Sequence, residues 1–140
     1  MPFVDTNVLI YAVSGSRDDR PKADRALEIL NREACVLSTQ VLQEFYVQVT
    51  RPSRSDRLDH DEATAFIHAL LRFPIQAITI DLVRAALTAC KRFHIAYWDA
   101  AIIEAARIYG CNEVFSEDMN PGQDFNGVRI INPFAVRGRE

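Results

Sequence analysis

Apolar and polar positions along this chain switch repeatedly between two periods, and the switches set the expected order of elements. Phe3-Val4 is a short apolar run with no polar interruption, the pattern of a strand buried on both faces. Asp5-Thr6-Asn7 makes a polar turn, and residues 8–13 begin a helix with Thr6 or Asn7 as its cap. Residues 14–19 form a loop. Pro21 suits the first turn of a second helix, where Ala23, Ala26, Leu27 and Leu30 recur at helical spacing. Cys35-Val36-Leu37 is a second strand, after which Ser38 or Thr39 caps a helix carrying Val41, Leu42, Phe45, Tyr46 and Val49. Residues 51–57 break that helix as an exposed basic loop. Helix resumes over 59–73 and stops before Pro74. Residues 75–80 read as a third strand, Asp81 caps a helix reaching residue 93, and residues 97–109 form an Ala-rich helix ended by Gly110. Residues 113–116 and 128–131 supply the fourth and fifth strands.

Short apolar strands alternating with helices predict an α/β domain with a mostly parallel sheet. Ligands of such sheets sit outside the carboxyl ends of the strands, near the reversal in strand order. That rule singles out Asp5, after the first strand, and Asp118, after the fourth.

At 140 residues the chain fits one domain, residues 1–134, with a short tail at 135–140. Hydrophobic residues at 49% and charged residues at 25% exclude disorder, collagen and coiled coil. No apolar run approaches the ~18 residues of a membrane span, and the N-terminus lacks a signal-peptide pattern, so a soluble, cytoplasmic protein is expected. Cys35, Cys90 and Cys111 are odd in number and widely spaced, which predicts buried reduced thiols in place of disulfides or zinc. The net charge of −3 does not announce a nucleic-acid binder, although 14 Arg against 2 Lys favours the planar fork that suits phosphate.

The acids are the chemically informative residues. Asp5 follows a buried strand, where an unpaired carboxylate is costly, and capping of the next helix is its plainest role. Asp99 lies in the first turn of the Ala-rich helix, favoured there by the macrodipole. Glu117-Asp118 occupies a turn rich in Asn, Pro and Gly that has local uses for acids. By helical wheel Glu44 points away from the apolar sector, in a stripe with Gln40 and Gln48, like a solvated residue. Gathered at one sheet edge, such carboxylates repel unless protonated or bound to a cation. Hard oxygen donors without His or Cys suit Mg²⁺ or Mn²⁺.

Four blocks in order carry a resemblance: Val4-Asp5-Thr6-Asn7-Val8-Leu9-Ile10-Tyr11, Leu37 through Phe45, Tyr97-Trp98-Asp99-Ala100-Ala101-Ile102-Ile103, and Ser116-Glu117-Asp118-Met119. With Ile131-Asn132-Pro133-Phe134 at the end, the chain resembles PIN-domain ribonucleases, specifically the VapC-type toxins of toxin–antitoxin pairs. The resemblance implies a three-layer domain, its central five-stranded sheet built around the first strand. It implies a catalytic cluster of Asp5, Glu44, Asp99 and Asp118, in which Asp5, Asp99 and Asp118 hold Mg²⁺ (or Mn²⁺) and Glu44 orients or deprotonates the attacking water. Only the resemblance nominates Glu44. Thr6, Asn7 and Ser116 match positions near such a site and are expected to orient carboxylates or a phosphate. The implied activity is endonucleolytic cleavage of single-stranded or loop RNA, with an antitoxin and a second copy of the chain as partners.

Arg51, Arg54 and Arg57, or Arg17, Arg20 and Lys22, are candidates for RNA backbone contact, though charged loops are often only solvated. His60, His68 and His94 do not cluster. Trp98 is read as core, with stacking on a base as the alternative. Rival readings are a phosphohydrolase or receiver-like domain, a silent PIN scaffold, and a housekeeping RNA-processing nuclease. Asn7 stands where a haloacid-dehalogenase pattern wants Asp, and no paired acid and Lys mark a receiver.

Overall fold

The computed structural model describes residues 1–32 and 34–135, so most of the tail expected at 135–140 lies outside the described residues. Among the described residues five short strands, β1 (Phe3–Val4), β2 (Leu37–Ser38), β3 (Ile75–Gln76), β4 (Glu113–Phe115) and β5 (Arg129–Ile131), alternate with six helices. The helices are α1 (Thr6–Ala12), α2 (Arg20–Arg32), α3 (Thr39–Val49), α4 (His60–Leu70), α5 (Ile80–Phe93) and α6 (Tyr97–Tyr109).

All strand pairings are parallel: β1 with β4, β4 with β5, and β2 with β3. A single bridge between Phe3 and Val36 joins the two sets, with Val4 N donating to Val36 O and Val36 N to Pro2 O, each at 3.0 Å. The order is therefore β3-β2-β1-β4-β5, with β1 central as expected. From β1 the chain moves one way through β2 to β3, then crosses back to β4 and on to β5. Right-handed crossovers in opposite directions place their helices on opposite faces. This puts α1–α4 on one face and α5–α6 on the other, which are also the groups that pack together. The reversal falls between β1 and β4, where a parallel sheet opens a crevice at its carboxyl edge.

Local chemistry moved three boundaries. Asp5 caps α1, the plainest role expected of it, and Thr6 and Asn7 do not; its Oδ1 accepts from Thr6 N at 2.7 Å. The third strand stops at Gln76 because Ile78 N donates to Thr39 Oγ1 at 3.2 Å instead of to a strand. Thr79 then caps α5 in place of Asp81, its Oγ1 accepting from Leu82 N at 3.1 Å. At the end of α6, Gly110 adopts φ 101°, a left-handed conformation that a side chain would strain. Cys35 and Cys111 are buried, but Cys90 is only half-buried. Among the described residues no helix is long and apolar enough to cross a membrane.

Phe3, Val4, Leu9, Leu37, Phe45, Ile103, Val114 and Ile130 are fully buried in one core. On α3 the contrast between faces is sharp: Phe45 is fully buried and stacks on Phe66 at 5.1 Å, whereas Val47 is 58% exposed. Phe45→Ala should cost about 3–5 kcal/mol of unfolding free energy, and Val47→Ala less than about 0.5 kcal/mol. Urea unfolding of the two variants checks this; equal losses would contradict the packing.

Candidate active site

The crevice at the β1/β4 reversal receives side chains from four segments. Asp5 leaves the end of β1, Glu44 projects from the second turn of α3, Asp99 from the first turn of α6, and Asp118 from the loop after β4. All four line one cavity of about 350 Å³. A larger cavity of about 560 Å³ lies between α2 and residues 131–135, but among the described residues Glu28 is its only carboxylate.

Asp5 is 8% exposed and surrounded by donors. Besides Thr6 N on Oδ1, its Oδ2 accepts from Ser116 Oγ at 2.8 Å and from Asn7 Nδ2 at 3.2 Å. Burial nevertheless pushes its carboxyl from 3.8 up to about 6; hydrogen bonds from Ser116 and Thr6 oppose the rise, and the charges of Glu44 and Asp118 add to it. Asp99 is half-buried and accepts no hydrogen bond among the described residues. Burial and the neighbouring charge of Asp118 raise its carboxyl too.

Asn7 joins the two strand ends. Its Nδ2 also reaches Ser116 Oγ and Asp118 Oδ2, both at 3.3 Å, while its Oδ1 accepts from Glu117 N at 3.1 Å. Thr6 holds Glu44, donating from Oγ1 to Oε1 at 2.8 Å, and Gln40 Nε2 approaches the same oxygen at 3.5 Å. Glu44 Oε2 is thus left without a protein donor among the described residues. The wheel assignment of Glu44 to solvent is corrected: Gln40, Glu44 and Gln48 face the cavity together, and Gln40 is 4% exposed.

The structure separates the two acids after β4. Asp118 lines the carboxylate cavity, whereas Glu117 turns to Tyr11 Oη at 2.6 Å and Lys22 Nζ at 2.5 Å. Burial works against ionised Glu117, yet Lys22 and Tyr11 hold its carboxyl below the usual range. Arg54 pairs with Asp56 at 2.9 Å and lines an adjoining cavity of about 240 Å³ that shares Asn7 and Asp118 with the first. Arg51 and Arg57 are exposed, Arg20 pairs with Asp24, and none of these three lines either cavity.

A PIN domain profile matches residues 3–122. The chain belongs to the PIN-domain family. Among solved structures, this PIN domain is similar to a toxin–antitoxin complex from Klebsiella pneumoniae, at 20% identity and TM-score 0.69, covering 97% of this chain and 100% of that one. It is also similar to Mycobacterium tuberculosis VapC20, a sarcin–ricin loop cleaving toxin, at 20% identity and TM-score 0.66, covering 84% and 92%. A third similar structure is FitAB bound to an IR36 DNA fragment, at 18% identity and TM-score 0.71 over the full length of both chains. Comparison with curated proteins gives no significant match.

Donor chemistry in this PIN domain fits a hard divalent cation. Carboxylates crowd one cavity, two are pushed toward protonation by burial and neighbouring charge, and Asp99 has no hydrogen-bond donor among the described residues. Asp5, Asp99 and Asp118 would hold the ion. Among the described residues no three His, Cys, Asp or Glu side chains already surround one point as a ligand set, so the acids line the walls without closing on a centre.

Reading single residues missed Gln40 and favoured a core position for Trp98 over the stacking alternative. Trp98 is 64% exposed on the cavity rim, not core, and Gln40 Nε2 donates to its carbonyl at 3.3 Å. One signal for the α3 stripe was available. Glu44 is the only charged residue on that helix, whereas a solvated face usually carries Lys or Arg as well.

Because the folded state holds the Asp5 proton more tightly than the unfolded chain does, ionised Asp5 opposes folding above pH 6. That opposition fades as pH falls from about 6 to about 4. In chelator, wild type should therefore gain on the order of 2–3 kcal/mol relative to Asp5→Asn between pH 7 and pH 4. Denaturant unfolding across that range checks this, and parallel pH profiles would contradict it.

Proposed function

We propose that this PIN domain is a divalent-metal-dependent endoribonuclease, the toxin of a VapBC-type pair, cleaving RNA to arrest growth. The observation that carries the reading is the lining of one cavity by Asp5, Glu44, Asp99 and Asp118, four carboxylates from four elements meeting at the sheet reversal. The toxin named in the Mycobacterium tuberculosis structure supports RNA as the substrate class, and the Klebsiella pneumoniae complex supports an antitoxin partner. The same reading carries Mg²⁺ as the ion, with Mn²⁺ able to replace it, and a homodimer as the working form.

Mg²⁺ bound there would acidify a water and offset charge building on phosphate. The chain's own residues do the positioning. Ser116, Asn7 and Thr6 N hold both oxygens of Asp5, fixing the innermost carboxylate against the end of β1. Thr6 and Gln40 hold Glu44 by one oxygen and leave the other to orient a water or take its proton. Asn7 links the loop after β4 to the end of β1, donating to Asp118 and accepting from the Glu117 amide, which favours Asp118 facing Asp5. Arg54, beside Asp118 in the adjoining cavity, supplies a cation for the RNA backbone.

Purified protein should cleave RNA in Mg²⁺ or Mn²⁺ and stop when chelator is added. Asp5→Asn should lower cleavage by about a thousandfold or more with an unchanged circular dichroism spectrum. RNA-end sequencing after induction of wild type beside Asp5→Asn names the target. Activity that survives the substitution, or the chelator, would overturn the assignment.

A further inference from the structure

Trp98 is the most exposed aromatic among the described residues, at 64%, and it sits on the rim of the carboxylate cavity immediately before Asp99. Its place is held. The Trp98 carbonyl accepts from Gln40, a buried amide that also reaches Glu44, so the backbone bearing Trp98 and Asp99 is tied to the helix bearing Glu44. Tyr97 meets the indole edge-to-face at 5.2 Å and 81°, a contact that leaves most of the ring in solvent.

A lone exposed apolar residue is unremarkable on a protein surface. Here the setting is specific: a flat apolar ring, on a backbone tied to Gln40, stands beside a cleft whose walls carry Ile10 and Ile102 but are otherwise polar and acidic. A protein anchor would want an apolar pocket around it. A nucleotide instead joins an anionic phosphodiester to a flat ring: the cation that the carboxylates would hold meets the first, and the indole, one residue from Asp99 and about 3.8 Å from it at the α-carbons, meets the second.

We propose that Trp98 is a positioning residue of this site, its indole stacking on a nucleobase next to the phosphodiester that a carboxylate-held cation would bind. The proposal rests on the ribonuclease reading above. Double-stranded RNA, whose bases are already stacked, cannot use the indole.

Two measurements test this. On an RNA that wild type cleaves, Trp98→Ala should lower kcat/KM between about fivefold and a hundredfold, the range expected for one stacked base, chiefly through KM. Trp98→Phe should restore most of the loss. Trp98 is also the chain's only tryptophan, so its fluorescence in the Asp5→Asn protein should change on adding single-stranded RNA and not on adding the same sequence as a duplex. Unchanged kcat/KM in Trp98→Ala would overturn the proposal, as would unchanged fluorescence with single-stranded RNA whose binding anisotropy registers. So would a loss explained by dissociation of a dimer in sedimentation, which would make Trp98 a protein contact. If wild type cleaves no RNA, the ribonuclease reading falls, while the fluorescence arm still decides whether Trp98 meets a base.

Discussion

Placing Asp5 where the central strand ends, almost out of contact with water and facing other carboxylates, is the costly act on which the rest of this site depends. An ionised group there would be untenable without donors. Three arrive from separate places: the Thr6 amide at the start of α1, the Asn7 side chain one residue further, and Ser116 at the end of β4. They bring the ends of β1 and β4 together, although those residues lie more than a hundred positions apart in sequence. The carboxyl still rests near 6, so the donors offset the burial only in part. That residual strain is what a bound cation would relieve.

The loop after β4 carries two adjacent acids and gives them opposite tasks. Glu117 is consumed by Lys22 and Tyr11, a contact that anchors the loop to α1 and α2. Lys22 also lies 5.0 Å from the Tyr11 ring centroid and 5.9 Å from that of Phe134, so the residues after β5 join the same anchor. With Glu117 fixed outward, Asp118 faces the cavity. Neutralising one acid while leaving its neighbour among like charges is how a short loop places a single carboxylate.

Much of this was legible along the chain, and what was not has identifiable causes. Apolar strands bounded by helical periodicity revealed the α/β order, and the rule for parallel sheets pointed to Asp5 and Asp118 before any contact was known. The caps were misplaced by one or two residues because Asp5, Thr6, Asn7, Thr79 and Asp81 are all competent cap residues, and tertiary contacts choose among them. Glu44 was invisible to the helical wheel, which reports the side of a helix opposite its apolar stripe without saying whether water or another element lies there. Trp98 misled for the reverse reason: a residue type that usually packs inside stands on a rim, its backbone carbonyl held by a buried glutamine 58 residues away in sequence.

The most direct test of a shared cation site is Mn²⁺ affinity measured by titration on wild type and four single variants. Asp5→Asn, Asp99→Asn and Asp118→Asn should each lose most of the affinity for the same binding event, and Glu117→Gln should keep it. Full affinity in Asp99→Asn, or a loss in Glu117→Gln as large as in Asp118→Asn, would contradict the account.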